Sequence, residues 1–208
     1  MKRTVSILLL AIAATVACAA DLRTLFVDMP DSVIPTLTRS ERLDFLDYMD
    51  SGMKAVVKNR LGGESEMTSL SDRMLSIKTS RSGRVDIVLF KRNNGTDLVC
   101  LIRTVVTRFE DSRLEFYNED WTPVNGRDLI TLPRLDDYLT AEALRQDSLQ
   151  ELKRQSTLRL QAAAAVDNGI EFRYTSLDYI GEDADRFRSW FRSDPIRYIW
   201  TGKRFKRQ

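Results

Sequence analysis

The residue types that could do chemistry are few in this chain. It has no histidine and two cysteines among 208 residues, which excludes Ser-His-Asp and Cys-His catalysis and zinc ligation by histidine. No glycine-rich nucleotide fingerprint follows a predicted strand. Paired carboxylates, as in glycosidases, or a Ser-Lys pair are the catalytic groups that remain. Because the chain has 30 acidic residues, many pairs of carboxylates could be proposed. The sequence alone therefore does not identify a catalytic pair.

Acidic residues that follow the central strands could supply oxygen ligands to calcium. The stretch from Asn118 to Gly126 is predicted to form a structured loop. Its spacing lacks the alternating ligands, central glycine and final glutamate of an EF-hand. We therefore expect a solvated acidic loop and no cofactor. The candidate calcium ligands are Asp111, Glu119, Asp120 and Asp128.

Outward-facing side chains of the predicted strands form a second candidate site, either a binding face or a solvated sheet surface. A sheet face or edge of this kind can bind another protein, a peptide or a glycan. A tryptophan placed before a proline, as Trp121 is before Pro123, is also typical of a side chain that plugs a sheet end. The candidate binding residues are Arg103, Tyr117, Trp121 and Arg173, with Arg159, Arg197 and Ile199 beside them.

Residues 1–20 have the pattern of an export signal. Lys2 and Arg3 precede an apolar run over residues 5–16, and small residues follow it. That run is too short for a permanent membrane helix, which needs about 20 residues. The remainder, residues 21–208, is predicted to be a single exported domain.

The end of this signal leaves two alternatives. Cys18 closes a partial match to a bacterial lipoprotein box, in which the cysteine is acylated, although such boxes usually have Leu where this chain has Thr15. Ordinary cleavage after Ala19 or Ala20 also fits the small-residue rule and is the favoured alternative. Cys100 is then the remaining cysteine, so no intrachain disulfide can form. We expect it to be a small buried hydrophobe.

The charge of the exported part is predicted to be balanced. The chain has 32 Lys and Arg against 30 Asp and Glu, and removal of Lys2 and Arg3 makes the two counts equal. A balanced charge argues against broad nucleic-acid binding, which is driven by phosphate neutralisation. The expected partners are an envelope protein or a glycan, and contact with a membrane is expected only through a lipid anchor.

Four segments with alternating apolar residues form the centre of the predicted fold, and they cover residues 74–79, 85–90, 98–106 and 114–117. Short polar connections after the first two favour tight hairpins, which predicts an antiparallel meander. The third segment is apolar on both faces and is predicted to be central. We assign Leu98, Cys100 and Ile102 to the core face formed by the apolar residues of the second segment.

A second set of strands is predicted near the C-terminus. Alternation returns over residues 158–164, and Asp167-Asn168-Gly169 closes a hairpin with residues 170–174. A final strand covers residues 196–200. The basic tail from Lys203 to Arg207 is expected to be solvated.

Helices are predicted near residues 38–52, 136–153 and 183–192, with Thr38 and Glu41 as a capping box for the first. The fold class is therefore α+β. We expect an antiparallel sheet of about six to eight strands, a meander plus a C-terminal hairpin, with helices packed on it. Two successive blocks of helix followed by strands suggest two related halves.

Several segments spread over the chain carry a family likeness. They are residues 43–49 (LDFLDYM), residues 59–65 (NRLGGES), Arg103-Thr104-Val105, Asp111-Ser112, Phe116-Tyr117, Trp121 and the aromatic ending through Trp200. These segments resemble an uncharacterised, domain-of-unknown-function family of exported proteins from Gram-negative gut and oral anaerobes. The resemblance implies export and one compact domain, and it transfers no active site.

Taken together, the sequence favours an exported envelope protein of the periplasm, outer membrane or cell surface of a Gram-negative bacterium. We expect it to be a non-catalytic binding or accessory module. A carboxylate-based hydrolase acting on envelope glycans is the alternative, and it would require two close carboxylates in a cleft. A lipoprotein subunit of an outer-membrane assembly is a third reading, which depends on Cys18.

Overall fold

The first sheet contains seven antiparallel strands that follow one another in chain order. They are β1 (Val56–Lys58), β2 (Glu64–Leu70), β3 (Met74–Ser80), β4 (Gly83–Lys91), β5 (Asp97–Val106), β6 (Glu110–Tyr117) and β7 (Pro123–Val124). The predicted meander is confirmed, since its four segments are β3 to β6. A computed structural model describes residues 21–208, so the predicted export signal and Cys18 lie outside the described residues.

Strand β5 is buried on both faces, as predicted for a central strand. The five residues from Leu98 to Ile102 are each 0% exposed. The register pairs Ile87 with Leu101, so Leu101 shares the layer of Ile87, while Leu98, Cys100 and Ile102 lie on the opposite face. Their predicted face is therefore wrong. Because both faces of this strand are apolar, alternation alone cannot distinguish them.

Four further strands form a second antiparallel sheet in the order β11-β10-β9-β8. They are β8 (Gln161–Val166), β9 (Gly169–Tyr174), β10 (Ile196–Trp200) and β11 (Phe205–Arg207). The C-terminal hairpin therefore belongs to a separate sheet and does not extend the meander. The basic tail is expected to be solvated, but it includes β11, and the side chain of Phe205 in that strand is buried.

Helices cover one face of the first sheet. They are α1 (Leu22–Asp28) and α2 (Arg39–Asp50), and the predicted capping box of Thr38 and Glu41 is confirmed. These helices share an apolar cluster with the sheet, which includes Phe26, Phe45, Leu75, Ile87 and Leu101. On the opposite face, a second cluster joins the two sheets and includes Phe90, Cys100, Phe116, Phe172, Trp200 and Phe205.

The continuous helix predicted over residues 136–153 is wrong. The structure has short 3-10 turns at Leu135–Tyr138 and Ala143–Arg145, then the helix α4 (Leu149–Gln155), while α3 (Gly126–Leu129) precedes them. Leu139 has extended backbone angles and forms an isolated β-bridge with Phe191. This pairing takes the main-chain groups that a helix would need, so tertiary contacts override the helical pattern.

The same pairing shortens the last helix. The predicted helix over residues 183–192 is observed as a 3-10 segment, Leu177–Asp183, followed by α5 (Ala184–Arg188). The carbonyl of Trp190 accepts from the N–H of Thr140, and the N–H of Arg192 donates to the carbonyl of Tyr138. These bonds, together with the Leu139–Phe191 bridge, pair residues 190–192 with residues 138–140. No helix among residues 21–208 is long and apolar enough to cross a membrane.

Candidate functional site

An open groove of about 630 Å³ lies between the segment that follows α1 and the ends of β6 and β7. We call it the Arg103 groove. Two residues of the predicted binding face, Arg103 and Tyr117, line it. Its other lining residues include Ser32, Val33, Pro35, Arg113, Glu115, Asn125 and Gly126.

A hydrogen-bonded trio forms part of the lining of the Arg103 groove. Arg103 Nε donates to Glu115 Oε2 at 3.0 Å, and the Tyr117 hydroxyl donates to the same oxygen at 3.1 Å. A second guanidinium nitrogen of Arg103 donates to the carbonyl of Val33. Burial, followed by the negative charge of Glu115, raises the pKa of the Tyr117 phenol. The trio therefore holds a protonated phenol, a carboxylate and a guanidinium beside one opening.

The wall of the groove that carries Ser32, Val33 and Pro35 is held in place from behind by a buried arginine. Arg42 is 2% exposed, and its guanidinium occupies the turn that joins α1 to α2. Its partners are the carbonyls of Val27 (3.2 Å), Met29 (2.6 Å) and Leu37 (2.9 Å) and the carboxylate of Asp31 (2.9 Å). A planar fork with several donors suits such a cluster of acceptors.

Trp121 supports the groove and is not part of its surface. Its side chain is buried, and its indole N–H donates to the carbonyl of Leu25 at 3.1 Å. The ring centroid lies 5.5 Å from that of Tyr117. The backbone of Trp121 has a φ of 63°, which is rare for a residue other than glycine. The indole thus joins α1 to the loop that follows β6.

The other candidate binding residues lie on the second sheet or beside it. Arg173 extends from β9, where it donates to the carbonyl of Ser193 at 3.5 Å. Arg197 of β10 forms an ion pair with Glu171 at 2.6 Å, and Arg159 donates to the carbonyl of Ser156. None of these residues, nor Ile199, lines the Arg103 groove.

The four calcium candidates are dispersed, and three of them accept hydrogen bonds within the chain. Asp111 accepts from the N–H of Gln161, and Glu119 accepts from the N–H of Asp97. Asp120 accepts from the N–H and hydroxyl of Thr122, which lowers its pKa. Asp128 lies on α3. Within residues 21–208 there is no group of three or more acidic or cysteine side chains placed to hold a metal ion.

Two further buried groups, a thiol and a carboxylate, could in principle react or bind a ligand, but one is inaccessible and the other is already ion-paired. Burial raises the pKa of the Cys100 thiol, and this side chain is 0% exposed, so it lacks the thiolate character and access of a nucleophile. The Asp97 carboxylate is also 0% exposed, and Arg73 binds both of its oxygens at 2.8 and 3.2 Å.

Two residues that build the groove are not identified by the sequence patterns used above. Glu115 alternates outward on a strand like many solvated acids, and its role depends on the neighbouring strand that brings Arg103 beside it. Arg42 falls within an amphipathic helix, where arginine is normally exposed. An arginine placed between the turn-forming Pro35 and an apolar helix face was the available signal for Arg42.

Comparison with known proteins gives a family and a fold. A family model described as "Protein of unknown function (DUF3256)" matches residues 14–205. A solved structure of a domain of an uncharacterized protein from Porphyromonas gingivalis W83 superposes with a TM-score of 0.80 at 24% sequence identity. The alignment covers 90% of this chain and 98% of that one, which confirms the α+β fold. No curated protein sequence matches the chain.

Proposed function

Starting from the fact that the chain belongs to the DUF3256 family of proteins of unknown function, we propose that it is an exported, non-catalytic binding protein of the cell envelope. Its ligand is a glycan, and the Arg103 groove is the binding site. The observation that carries this proposal is the trio of Arg103, Glu115 and Tyr117 at the surface of an open groove.

The chemistry of the groove matches a saccharide better than an apolar protein surface. Sugar hydroxyls both donate and accept hydrogen bonds. The groove offers donors on Arg103 and Arg113, an acceptor on Glu115 and both kinds of group on Asn125. Protein partners, in contrast, usually insert apolar or aromatic anchors into dry pockets. The phenol ring of Tyr117 adds an amphipathic surface beside the polar groups.

The fixed positions of these groups also favour binding. Glu115 and Tyr117 lie on β6, and Arg103 lies on the adjacent β5. The opposite wall is tied to the sheet through the bond from Arg103 to the carbonyl of Val33. A site whose side chains are already ordered loses less conformational entropy when it binds a ligand.

A carboxylate-based hydrolase has less support. Glu115 is the one carboxyl group among the residues that line the Arg103 groove, whereas glycoside hydrolysis uses a pair. Elsewhere, burial acts to raise the pKa of Asp137, but hydrogen bonds from Arg134 and Arg207 outweigh burial and lower it. A general acid requires the opposite shift.

Titration calorimetry with envelope glycans tests the proposal. The probes are a muramidase digest of peptidoglycan and the polysaccharide released from lipopolysaccharide by mild acid, with free stem peptides as a third probe. We expect saturable binding of a sugar-containing probe. Tyr117→Ala and Arg113→Ala should each weaken it about tenfold, since each removes a direct contact.

Arg173→Ala is the matched control because Arg173 lies outside the groove, and it should leave the affinity unchanged. Binding of stem peptides alone would refute a glycan ligand. The absence of binding for both sugar probes, or equal losses for the groove variants and the control, would refute the assignment of the groove.

Export and membrane attachment are part of the same proposal and rest on the pattern of residues 1–20. Intact mass measured separately for the membrane and soluble fractions of the native cell distinguishes the alternatives. An acylated N-terminal Cys18 would identify an anchored lipoprotein. A chain starting at Ala20 or Asp21 would identify a diffusible exported protein. A full-length chain with an intact Met1 would contradict export.

A further inference from the structure

A second groove, separate from the Arg103 groove, lies between β11 and the segment that runs from α3 to Asp137. It encloses about 510 Å³, and we call it the basic groove. Its charged lining residues are Arg127, Arg134, Arg204, Lys206 and Arg207, with Asp128 and Asp137.

The excess of positive charge in the basic groove contrasts with the rest of the chain. Five basic and two acidic residues line the groove, whereas the whole sequence has 32 basic and 30 acidic residues. The Asp137 carboxylate already has partners within the chain, because it accepts hydrogen bonds from the Arg207 guanidinium and from the N–H of Arg134. The remaining carboxylate, Asp128, is exposed on α3.

Four of the five cations form no ion pair with the residues that the structure describes. Within residues 21–208, no ion pair involves Arg127, Arg134, Arg204 or Lys206, whereas Arg207 pairs with Asp137. The exposed guanidinium groups of Arg127 and Arg204 are therefore available to a ligand. Separate parts of the chain supply the four cations, since Arg127 and Arg134 lie more than 70 residues before β11, and the fold brings them to one opening.

The groove also has a firm base. Phe205 is buried, and its ring centroid lies 4.9 Å from those of Phe90 and Trp200. Strand β11 pairs Phe205 with Trp200 and Arg207 with Tyr198, so alternation places Phe205 and Arg207 on the face that borders the groove. Arg204 lies in the bend that precedes the strand. Ile130 and Tyr198 are buried beside Phe205 and also line the groove. The Tyr198 hydroxyl donates to the carbonyl of Thr131 at 2.8 Å, which fixes the loop to the second sheet.

We propose that the basic groove binds a phosphate group of a ligand. Guanidinium groups bind phosphate oxygens through paired hydrogen bonds. The partly apolar floor suits the rest of a phosphorylated molecule. A soluble phosphorylated sugar and a phospholipid head group share this chemistry, and the experiment below distinguishes them.

Titration calorimetry of the full-length protein with pyrophosphate is the first arm of the test. The second arm is sedimentation with vesicles of phosphatidylcholine containing phosphatidylglycerol, in the presence and absence of pyrophosphate. Saturable pyrophosphate binding without vesicle binding identifies a soluble phosphorylated ligand. Vesicle binding that pyrophosphate displaces identifies a lipid head group.

A double variant and a matched control make the test specific to the groove. Arg127→Gln combined with Arg204→Gln removes two exposed charges that form no ion pair within residues 21–208, so the fold should be retained. We expect it to weaken binding at least about tenfold, because each charge-assisted hydrogen bond contributes strongly to affinity.

The control combines Arg81→Gln with Lys203→Gln, which removes the same charge at exposed positions outside the groove, and should leave binding nearly unchanged. The proposal is overturned if neither probe binds, or if the two double variants weaken binding equally. The second result would show a general effect of net charge.

Discussion

Nε of Arg103 donates a hydrogen bond to Oε2 of Glu115 over 3.0 Å between neighbouring strands. The two side chains are 28% and 21% exposed. Solvent therefore screens the electrostatic attraction between them less than it would for a fully exposed ion pair. Because Arg103 also donates to the carbonyl of Val33, one guanidinium joins the sheet to the opposite wall of the Arg103 groove.

The Arg103→Met variant should lower the free energy of unfolding by about 1 to 2 kcal/mol, because it removes the donor of the Val33 carbonyl and leaves Glu115 with the Tyr117 hydroxyl in place of two donors. Urea denaturation measures this change. Arg113→Met is the matched control, since its side chain is 81% exposed and lies 3.7 Å from Glu115, and it should cost less than about 0.5 kcal/mol. Equal losses for the two variants would contradict the structural role of Arg103.

Arg42→Met should have a larger effect on stability. The variant leaves the carbonyls of Val27, Met29 and Leu37 without a donor in a buried position, which should cost about 3 kcal/mol or more. Thermal and urea unfolding report the loss. Arg39→Met removes an exposed arginine from the same helix and should be within about 0.5 kcal/mol of the wild type. A mild effect of Arg42→Met would mean that the turn between the helices does not depend on it.

Cys100 should resist alkylation until the protein unfolds. Its thiol is 0% exposed on the central strand, and burial raises its pKa, so both access and thiolate are lacking. Mass spectrometry after iodoacetamide treatment should show no modification in buffer and one modification at Cys100 in denaturant. Rapid modification in buffer would show that β5 opens readily and would contradict its place at the centre of the fold.

Tyr138 should make the protein less stable at alkaline pH. Burial raises the pKa of its phenol above 10.0, the ordinary value, and its hydroxyl donates to Gln161 at 2.7 Å. The folded state therefore keeps its proton when the unfolded state loses it. The resulting stability is fully present below pH 10 and declines as the pH rises further, by up to about 1.4 kcal/mol per pH unit.

Urea denaturation at intervals between pH 9 and pH 12 measures this slope. In Tyr138→Phe the decline above pH 10 should be shallower than in the wild type, although below pH 10 the variant is less stable because it lacks the hydrogen bond to Gln161. Tyr179→Phe, at an exposed tyrosine, should keep the wild-type slope. Parallel slopes for all three proteins would contradict the effect of burial.

The regular parts of this fold are predictable from the sequence because each depends on nearby residues. Alternation and short polar turns identify β3 to β6, and the side chains of Thr38 and Glu41 identify the start of α2. The helix expected over residues 136–153 fails for a tertiary reason. Leu139 pairs with Phe191, a contact across about 50 residues of chain that no local pattern encodes.

The candidate sites are less predictable, since each one joins segments that are distant in sequence. Arg103 and Tyr117 could be proposed as outward-facing residues. Their common partner Glu115 and the wall at Val33 are visible only once the strands are paired and the turn after α1 is in place. Likewise, the basic run at the C-terminus is evident in the sequence, but Arg127 and Arg134 reach the same groove only through the fold.

Hydrogen–deuterium exchange with and without the glycan probes tests the central proposal most directly, because it reports where a ligand binds. The Arg103 groove should gain protection in residues 32–35, 113–117 and 123–126, while the second sheet should exchange at the same rate in both samples. A bound glycan that leaves these three segments unchanged, or that protects only other parts of the chain, would contradict the assignment of the Arg103 groove as the glycan site.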